Sequence, residues 1–294
     1  MKKILGRLAI ALIALVVLAV GYIYAASEWM LRRKYDEAPQ PLAALASPTE
    51  ADLAEGERLS MIVGCWAGCH GKKGEGGTEE APGIFEATAP TMSDVLPQYS
   101  DAELVRLIRL GIKRDGRTAI GMISGTFYPL GDADLARIIA HLRRQPASTP
   151  VPRVRGVEFV GRLALALGEW HTSAGEVDRS MPRWGELPRN TAFERGRYLV
   201  SITCTECHGL DLQGKEYLKS PALDIVKAYQ PDQFAHLMRT GEPTGGRELG
   251  MMAATARAAF SHFTDEEIGD LYAYLVDYRK GPPTRNPAAS TAAQ

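Results

Sequence analysis

Two short stretches hold all the reactive sulfur of this 294-residue chain. "CWAGCH" sets Cys65, Cys69 and His70 together, and "CTECH" sets Cys204, Cys207 and His208 together. The chain has four cysteines, all in these two places, and each histidine is followed by a glycine. Two thiols can bond as thioethers to the two vinyl groups on one side of a porphyrin, and the histidine beside the second thiol can then ligate the iron. "CTECH" has the spacing this attachment uses. "CWAGCH" has one residue more between its cysteines. It keeps the Cys69–His70 adjacency that places the imidazole, and Gly68 is free to adopt the backbone angles a one-residue bulge needs. The same residue types also suit a zinc site, a redox-active thiol pair or two disulfides. The spacing is more specific for covalent haem than for any of these.

Helices must carry these stretches. "SPTE" from Ser47 offers an N-cap, a proline at the first helical position and a glutamate three after the cap, predicting a helix to about Val63. "TAFE", Thr191 to Glu194, predicts a helix to about Ile202 before the second site. Two further helices follow each site. "SDAELVRLIRLG" (100–111) opens with a Ser100/Glu103 capping box, and "GDADLARIIAHLRRQ" (131–145) has Leu135, Ile138, Ile139 and Leu142 at helical spacing. "PDQFAHLMRTG" (231–241) and "TDEEIGDLYAYLVDY" (264–278, with a Thr264/Glu267 box) match them. The order helix, haem site, helix, loop, helix therefore occurs twice, an internal duplication. No strand-period run competes with it, so the fold class expected is all-α.

The N-terminus is a candidate membrane span. Nineteen residues, Leu8 to Ala26, carry no charge. At 1.5 Å per residue they reach about 28 Å, close to the hydrocarbon thickness of a bilayer. A cleaved signal peptide has a shorter apolar core, and Ala25 and Ala26 make only a weak cleavage site. A retained anchor is the expectation, with Tyr22, Tyr24 and Trp29 as its outer aromatic belt. Residues 1–34 carry +5, so the formal net charge of −1 leaves −6 on the rest. Nothing in this balance indicates nucleic-acid binding. The organisation expected is an anchor (1–34), a Pro/Ala-rich tether (35–50), a first haem domain (51–147), an interdomain segment (148–190), a second haem domain (191–280) and a disordered tail (281–294). Within the interdomain segment, "VEFVGRLALALGEW" (157–170) is too apolar to hang in water. It is expected to pack across the two haem domains, a second membrane span being the alternative.

The run Gly111, Asp115, Gly116, Arg117, Met122, between the helices of the first half, completes a pattern that resembles the class I cytochrome c domain. There a methionine loop precedes the C-terminal helix. The resemblance covers about 51–145 and 191–280. It departs from the family where a proline often follows the methionine, since Ile123 and Ala253 stand there. It implies two covalently bound haem c groups, with His70 and Met122 on one iron and His208 and a methionine of the 251–252 pair on the other. Counting eleven residues from Gly111 and from Gly241 reaches Met122 and Met252, so Met252 rather than Met251 is the expected ligand. His141 and His262 are the fallback ligands. Met61, Met92 and Met238 fit core packing. Pro90 and Pro221 resemble the family's proline whose carbonyl supports the proximal histidine. Each domain is small for a core of its own, so the porphyrin is expected to supply missing apolar surface.

Because such cytochromes acquire haem outside the cytoplasmic membrane, the resemblance places the N-terminus in the cytoplasm and the haem domains in the periplasm. It implies an electron carrier and not an enzyme. Donors expected are a quinol-oxidising complex or a periplasmic dehydrogenase; acceptors are a terminal oxidase or a soluble cytochrome. A dihaem peroxidase-type enzyme would need one open iron. A fixed electron-transfer subunit of a larger oxidoreductase complex is the third reading, supported by the apolar 157–170 segment.

Overall fold

The computed structural model describes residues 2–42, 47–66, 69–71, 73–149, 151 and 155–278. Gly68, where the bulge between Cys65 and Cys69 was expected, and the tail 281–294 lie outside the described residues. The chain begins with one long helix, α1 (Lys2–Arg32), whose apolar surface is exposed. By length and composition it can cross a membrane.

The first haem-motif half contains α2 (Glu50–Ile62), a hairpin of β1 (Gly77–Ala81) and β2 (Phe85–Ala89), α3 (Met92–Val95), α4 (Asp101–Leu110), α5 (Ser124–Phe127) and α6 (Asp132–Leu142). After it come β3 (Arg155–Val157) and α7 (Phe159–Leu167). The second half contains α8 (Ala192–Thr203), α9 (Thr205–His208), α10 (Pro231–Thr240), α11 (Met251–Ala258) and α12 (Asp265–Asp277). Capping boxes at Ser100/Glu103, Thr191/Glu194 and Thr264/Glu267 open α4, α8 and α12 as expected. The cap of α2 is Thr49 and not Ser47. Thr49 Oγ1 accepts from Asp52 N–H at 3.1 Å and the Asp52 carboxylate accepts from Thr49 N–H at 3.1 Å, a reciprocal pair that starts the helix two residues later.

The two halves repeat each other in detail. In each, the first and last helices cross: α2 on α6, and α8 on α12. Both crossings have a glycine at the closest point. A Cβ on Gly56 would lie 2.1 Å from the Arg137 carbonyl oxygen, and one on Gly196 would lie 1.9 Å from that of Asp270. Arg109 reaches the Leu130 carbonyl and Asp132 (2.8 Å), while Arg239 reaches the Phe263 carbonyl and Asp265 (2.6 Å). Each arginine thereby ties the helix before the methionine loop to the start of the last helix.

The chain is mostly helical, as expected, with one small sheet added. Strands β1, β2 and β3 form an antiparallel sheet in that order. Its hairpin turns at Pro82-Gly83, with Ile84 N–H donating to the Ala81 carbonyl at 2.8 Å and Gly83 at φ +78°. "GTEEA" offers no alternating apolar face, so period alone could not reveal it; the Pro-Gly pair was the available signal. The tether also differs from expectation. Tyr35 N–H donates to the Gly116 carbonyl at 2.9 Å, and Arg106 donates to the Glu37 carbonyl at 2.7 Å, so residues 35–40 lie docked on the first half. The apolar 157–170 stretch does not bridge the two halves. Strand β3 extends the hairpin, and α7 packs on α1.

The halves themselves share one apolar core running from Leu59 through Leu142 to Tyr198 and Leu275. At their boundary the buried Tyr198 hydroxyl donates to Asp134 at 2.6 Å and accepts from Gly131 N–H at 3.3 Å. Arg58 of α2 pairs with Glu267 of α12 at 2.7 Å.

Candidate functional site

Helix α2 ends just before the first cysteine pair. Cys65 N–H donates to the Ser60 carbonyl at 2.9 Å, and the buried Trp66 ring donates from Nε1 to Ser60 Oγ at 2.5 Å. Trp66 also meets the His141 ring edge-on, 6.0 Å between centres. Trp66, which stands between the two cysteines, is thus a core residue. His141 packs on this tryptophan and Gln145, which gives the fallback ligand a structural place.

Cys65, Cys69, His70 and Met122 all line one cavity of about 270 Å³. Its walls are apolar and come from several elements of the first half: Leu104 and Ile108 of α4, Phe127 of α5, Leu135 and Ile138 of α6, and Phe85 and Ala87 of β2. Phe85 is held by stacking on Trp170, 5.5 Å between ring centres. The backbone of Met122 is fixed by donation of its N–H to Ser173 Oγ at 3.1 Å.

His70 Nδ1 lies 3.2 Å from the Pro90 carbonyl oxygen, and His208 Nδ1 lies 2.8 Å from that of Pro221. A carbonyl only accepts, so Nδ1 carries the proton in both rings. That leaves the Nε2 lone pair for a metal. Burial lowers the basicity of both imidazoles, and the carbonyl contact partly offsets this. Both rings are therefore neutral at pH 7, the form that ligates. Each histidine also opens the same loop: its carbonyl accepts from the glycine six residues on, Gly76 at 2.9 Å and Gly214 at 2.8 Å. This His-Gly-x4-Gly spacing was legible in the sequence but passed over.

In the second half, Cys204 caps α8, and Cys207 and His208 lie in α9. His208 is buried, and Cys204 and Met252 pack against the shared core. Met251 is 59% exposed, so of the two methionines only Met252 turns inward. The loop from Gly241 to α12 is longer than its counterpart from Gly111 to α6. The additional residues all fall between Met252 and α12, which leaves the count up to the methionine unchanged, and α11 is longer than α5 chiefly because it already begins at Met251. His262 sits in a short turn whose carbonyl accepts from Arg58 at 3.2 Å, apart from the other site residues.

Burial raises the pKa of three of the four thiols. Burial pushes Cys65 up to about 12 and Cys204 up to about 11. Burial and then Glu206 push Cys207 up. Among the described residues no group of three or more His, Cys, Asp and Glu side chains could hold a metal ion. Two thiols, a neutral imidazole and a thioether sulfur on the walls of one apolar cavity fit a porphyrin joined by thioethers.

The two sites touch. Thr205 Oγ1 of α9 lies 3.3 Å from Thr126 Oγ1 of α5, and Thr126 lies 3.4 Å from Glu206. Beside them Glu176 accepts from Gly125 N–H at 3.2 Å, and burial, helped by Glu206, pushes its carboxyl up to about 8. No local pattern in the sequence pointed to Glu176.

Residues 193–278 match the family model described as Cytochrome c. No curated protein matches the chain. Residues 193–278 are thus similar to a cytochrome c domain, the type that holds haem c and transfers electrons.

Proposed function

We propose that both halves are cytochrome c domains and that the protein is a membrane-anchored dihaem cytochrome c passing single electrons in the periplasm. The observation that carries this is the convergence of Cys65, Cys69, His70 and Met122 on one apolar cavity, with the histidine–proline contact repeated in the matched domain. Haem c bound at each site supplies a one-electron iron couple. The chain's own residues set its conditions. Cys65 and Cys69, and Cys204 and Cys207, anchor the macrocycles. The Pro90 and Pro221 carbonyls orient the imidazoles. Met122 and Met252 would hold the haem irons through their thioether sulfurs, which would favour electron transfer over substrate chemistry. The apolar walls keep water away and so favour the less charged, reduced state.

Contact between α5 and α9 supports electron exchange within the chain. The shared core supports a fixed spacing of the two haems. Retention of α1 is supported by its outer end: Ser27 is fully buried, and Glu28 pairs with Arg162 at 3.0 Å. An anchored carrier searches for its partners in two dimensions, which raises their effective concentration. A quinol-oxidising complex or periplasmic dehydrogenase as donor, and a terminal oxidase or soluble cytochrome as acceptor, fit such a carrier.

Intact mass tests the reading. Protein from native membranes should exceed the polypeptide mass by two haem groups and retain residues 1–26. One haem, with Cys65 and Cys69 open to alkylation, overturns the first site. An N-terminus at Ala26 or Ser27 overturns the anchor.

A further inference from the structure

The apolar helix α7 supplies none of the haem-site residues, and its outward face is left uncovered. Gly161 and Leu165 turn inward and are buried. Phe159, Val160 and Leu167 turn outward, 47%, 52% and 66% exposed. A helix apolar on both sides does not rest in water. At nine residues it reaches only about 14 Å, too short to cross a bilayer.

Its position relative to α1 tells what covers it. The Phe159 ring lies 6.5 Å from that of Tyr24, and Tyr24 belongs to the charge-free stretch 8–26. Arg162, in the next turn of α7, donates to Ser27 Oγ and to Glu28, each at 3.0 Å, and its guanidinium stands over the Tyr24 ring at 5.0 Å. The start of α7 is therefore level with the edge of the apolar span, and Arg162 is level with the first charge beyond it. The exposed face of α7 continues the exposed aromatic surface of α1 formed by Tyr22, Tyr24 and Trp29. The other side of α7 is bonded to the hairpin turn: Glu158 N–H donates to the Ile84 carbonyl at 2.9 Å and Gly161 N–H to that of Gly83 at 3.2 Å.

We propose that α7 is an interfacial membrane helix: Phe159, Val160 and Leu167 enter the outer leaflet at the headgroup–acyl boundary beside α1. The helix then clamps the hairpin, and with it the Phe85 wall of the first cavity, against the bilayer. The first site faces the membrane at a fixed orientation, and the second half is the one presented to soluble partners. This rests on the membrane-spanning reading of α1.

Full-length protein reconstituted in phosphatidylcholine–phosphatidylglycerol vesicles containing a phosphatidylcholine with a diazirine in its acyl chain tests it. After irradiation and digestion, lipid adducts should map to residues 8–26 and to Phe159, Val160 and Leu167. The double variant Val160→Glu, Leu167→Glu should lower the α7 adducts roughly tenfold, because charged side chains are driven from the apolar layer, with α1 adducts unchanged. Both positions are exposed, so an unchanged haem spectrum verifies that the variant folds. Adducts on α1 alone overturn the proposal and leave the anchor standing. No adducts on either helix overturn the anchor. In native membranes, cross-linking of 159–167 to a protein in place of lipid assigns the face to a partner chain and overturns the proposal.

Discussion

Replacing Gly196 by alanine should loosen the second domain at its tightest point. The added Cβ would stand 1.9 Å from the Asp270 carbonyl oxygen, where ordinary contact begins near 3.4 Å, so α8 and α12 must part by about 1.5 Å. The obstacle is backbone, which cannot rotate aside as a side chain can. The helices are also pinned at the crossing by the Arg195–Asp270 ion pair at 2.6 Å and by the Phe193–Tyr274 rings, 4.9 Å apart. Overpacking of this kind costs about 1–3 kcal/mol, and a rigid obstacle puts it at the upper end or above. Alanine's better helix propensity returns about 1 kcal/mol. The net loss should be on the order of 2 kcal/mol. For a folded unit of this size that lowers the melting temperature by about 4–8 °C. Gly269 supplies the control. It lies in α12, exposed, with nothing within 4 Å of where its Cβ would be. Gly269→Ala should gain about 1 kcal/mol from propensity alone and raise the melting temperature by about 2–4 °C. Thermal unfolding of the haem-loaded protein, followed by far-ultraviolet circular dichroism, reads both. Opposite signs are expected. If Gly196→Ala proves as stable as Gly269→Ala, the helices do not cross at Gly196 and the argument fails.

Met252→Ala should open the second haem to carbon monoxide and abolish one methionine-to-ferric-iron charge-transfer band; Met251→Ala should leave that band in place. The reverse result would show that the second loop differs in register from the first. Tyr198→Phe removes a donor from Asp134 and an acceptor from Gly131 N–H at the domain boundary. A loss of about 1–3 kcal/mol is expected in denaturant unfolding, and an unchanged midpoint would refute the coupling. Glu176, raised to about 8 from an ordinary 4.5, stabilises the fold relative to an ionised group fully below pH 4.5. That contribution is lost as pH rises through 8. Glu176→Gln should therefore flatten the decline in stability between pH 5 and 9, by on the order of 2 kcal/mol after solvent screening at this half-buried carboxyl. An identical decline in both proteins would place the titration elsewhere.

The features legible in the sequence are those whose interactions close within a few residues. The cysteine–histidine stretches carry their chemistry in adjacent positions. The capping boxes of α4, α8 and α12 join residues three apart, and the helix faces repeat every turn, so nothing distant can alter them. The duplication supplied the count to Met252, although count alone left Met251 beside it as a spare. Burial separates the two, because only one of adjacent residues at the start of a helix can turn toward the core. The tertiary structure alone decided what depends on segments meeting from far apart. Strand β2 gains β3 from about 70 residues along the chain, a pairing that no local period announces. Residues 35–40 read as a tether because proline and alanine carry no signal of the Arg106 guanidinium donor and the Gly116 carbonyl acceptor that hold them. Helix α7 read as a bridge between domains because its apolar sequence states that it must be covered and not by what. The structure instead sets it against α1, where Arg162 meets Glu28, two charges separated by more than 130 residues and joined only when α1 and the folded part come together.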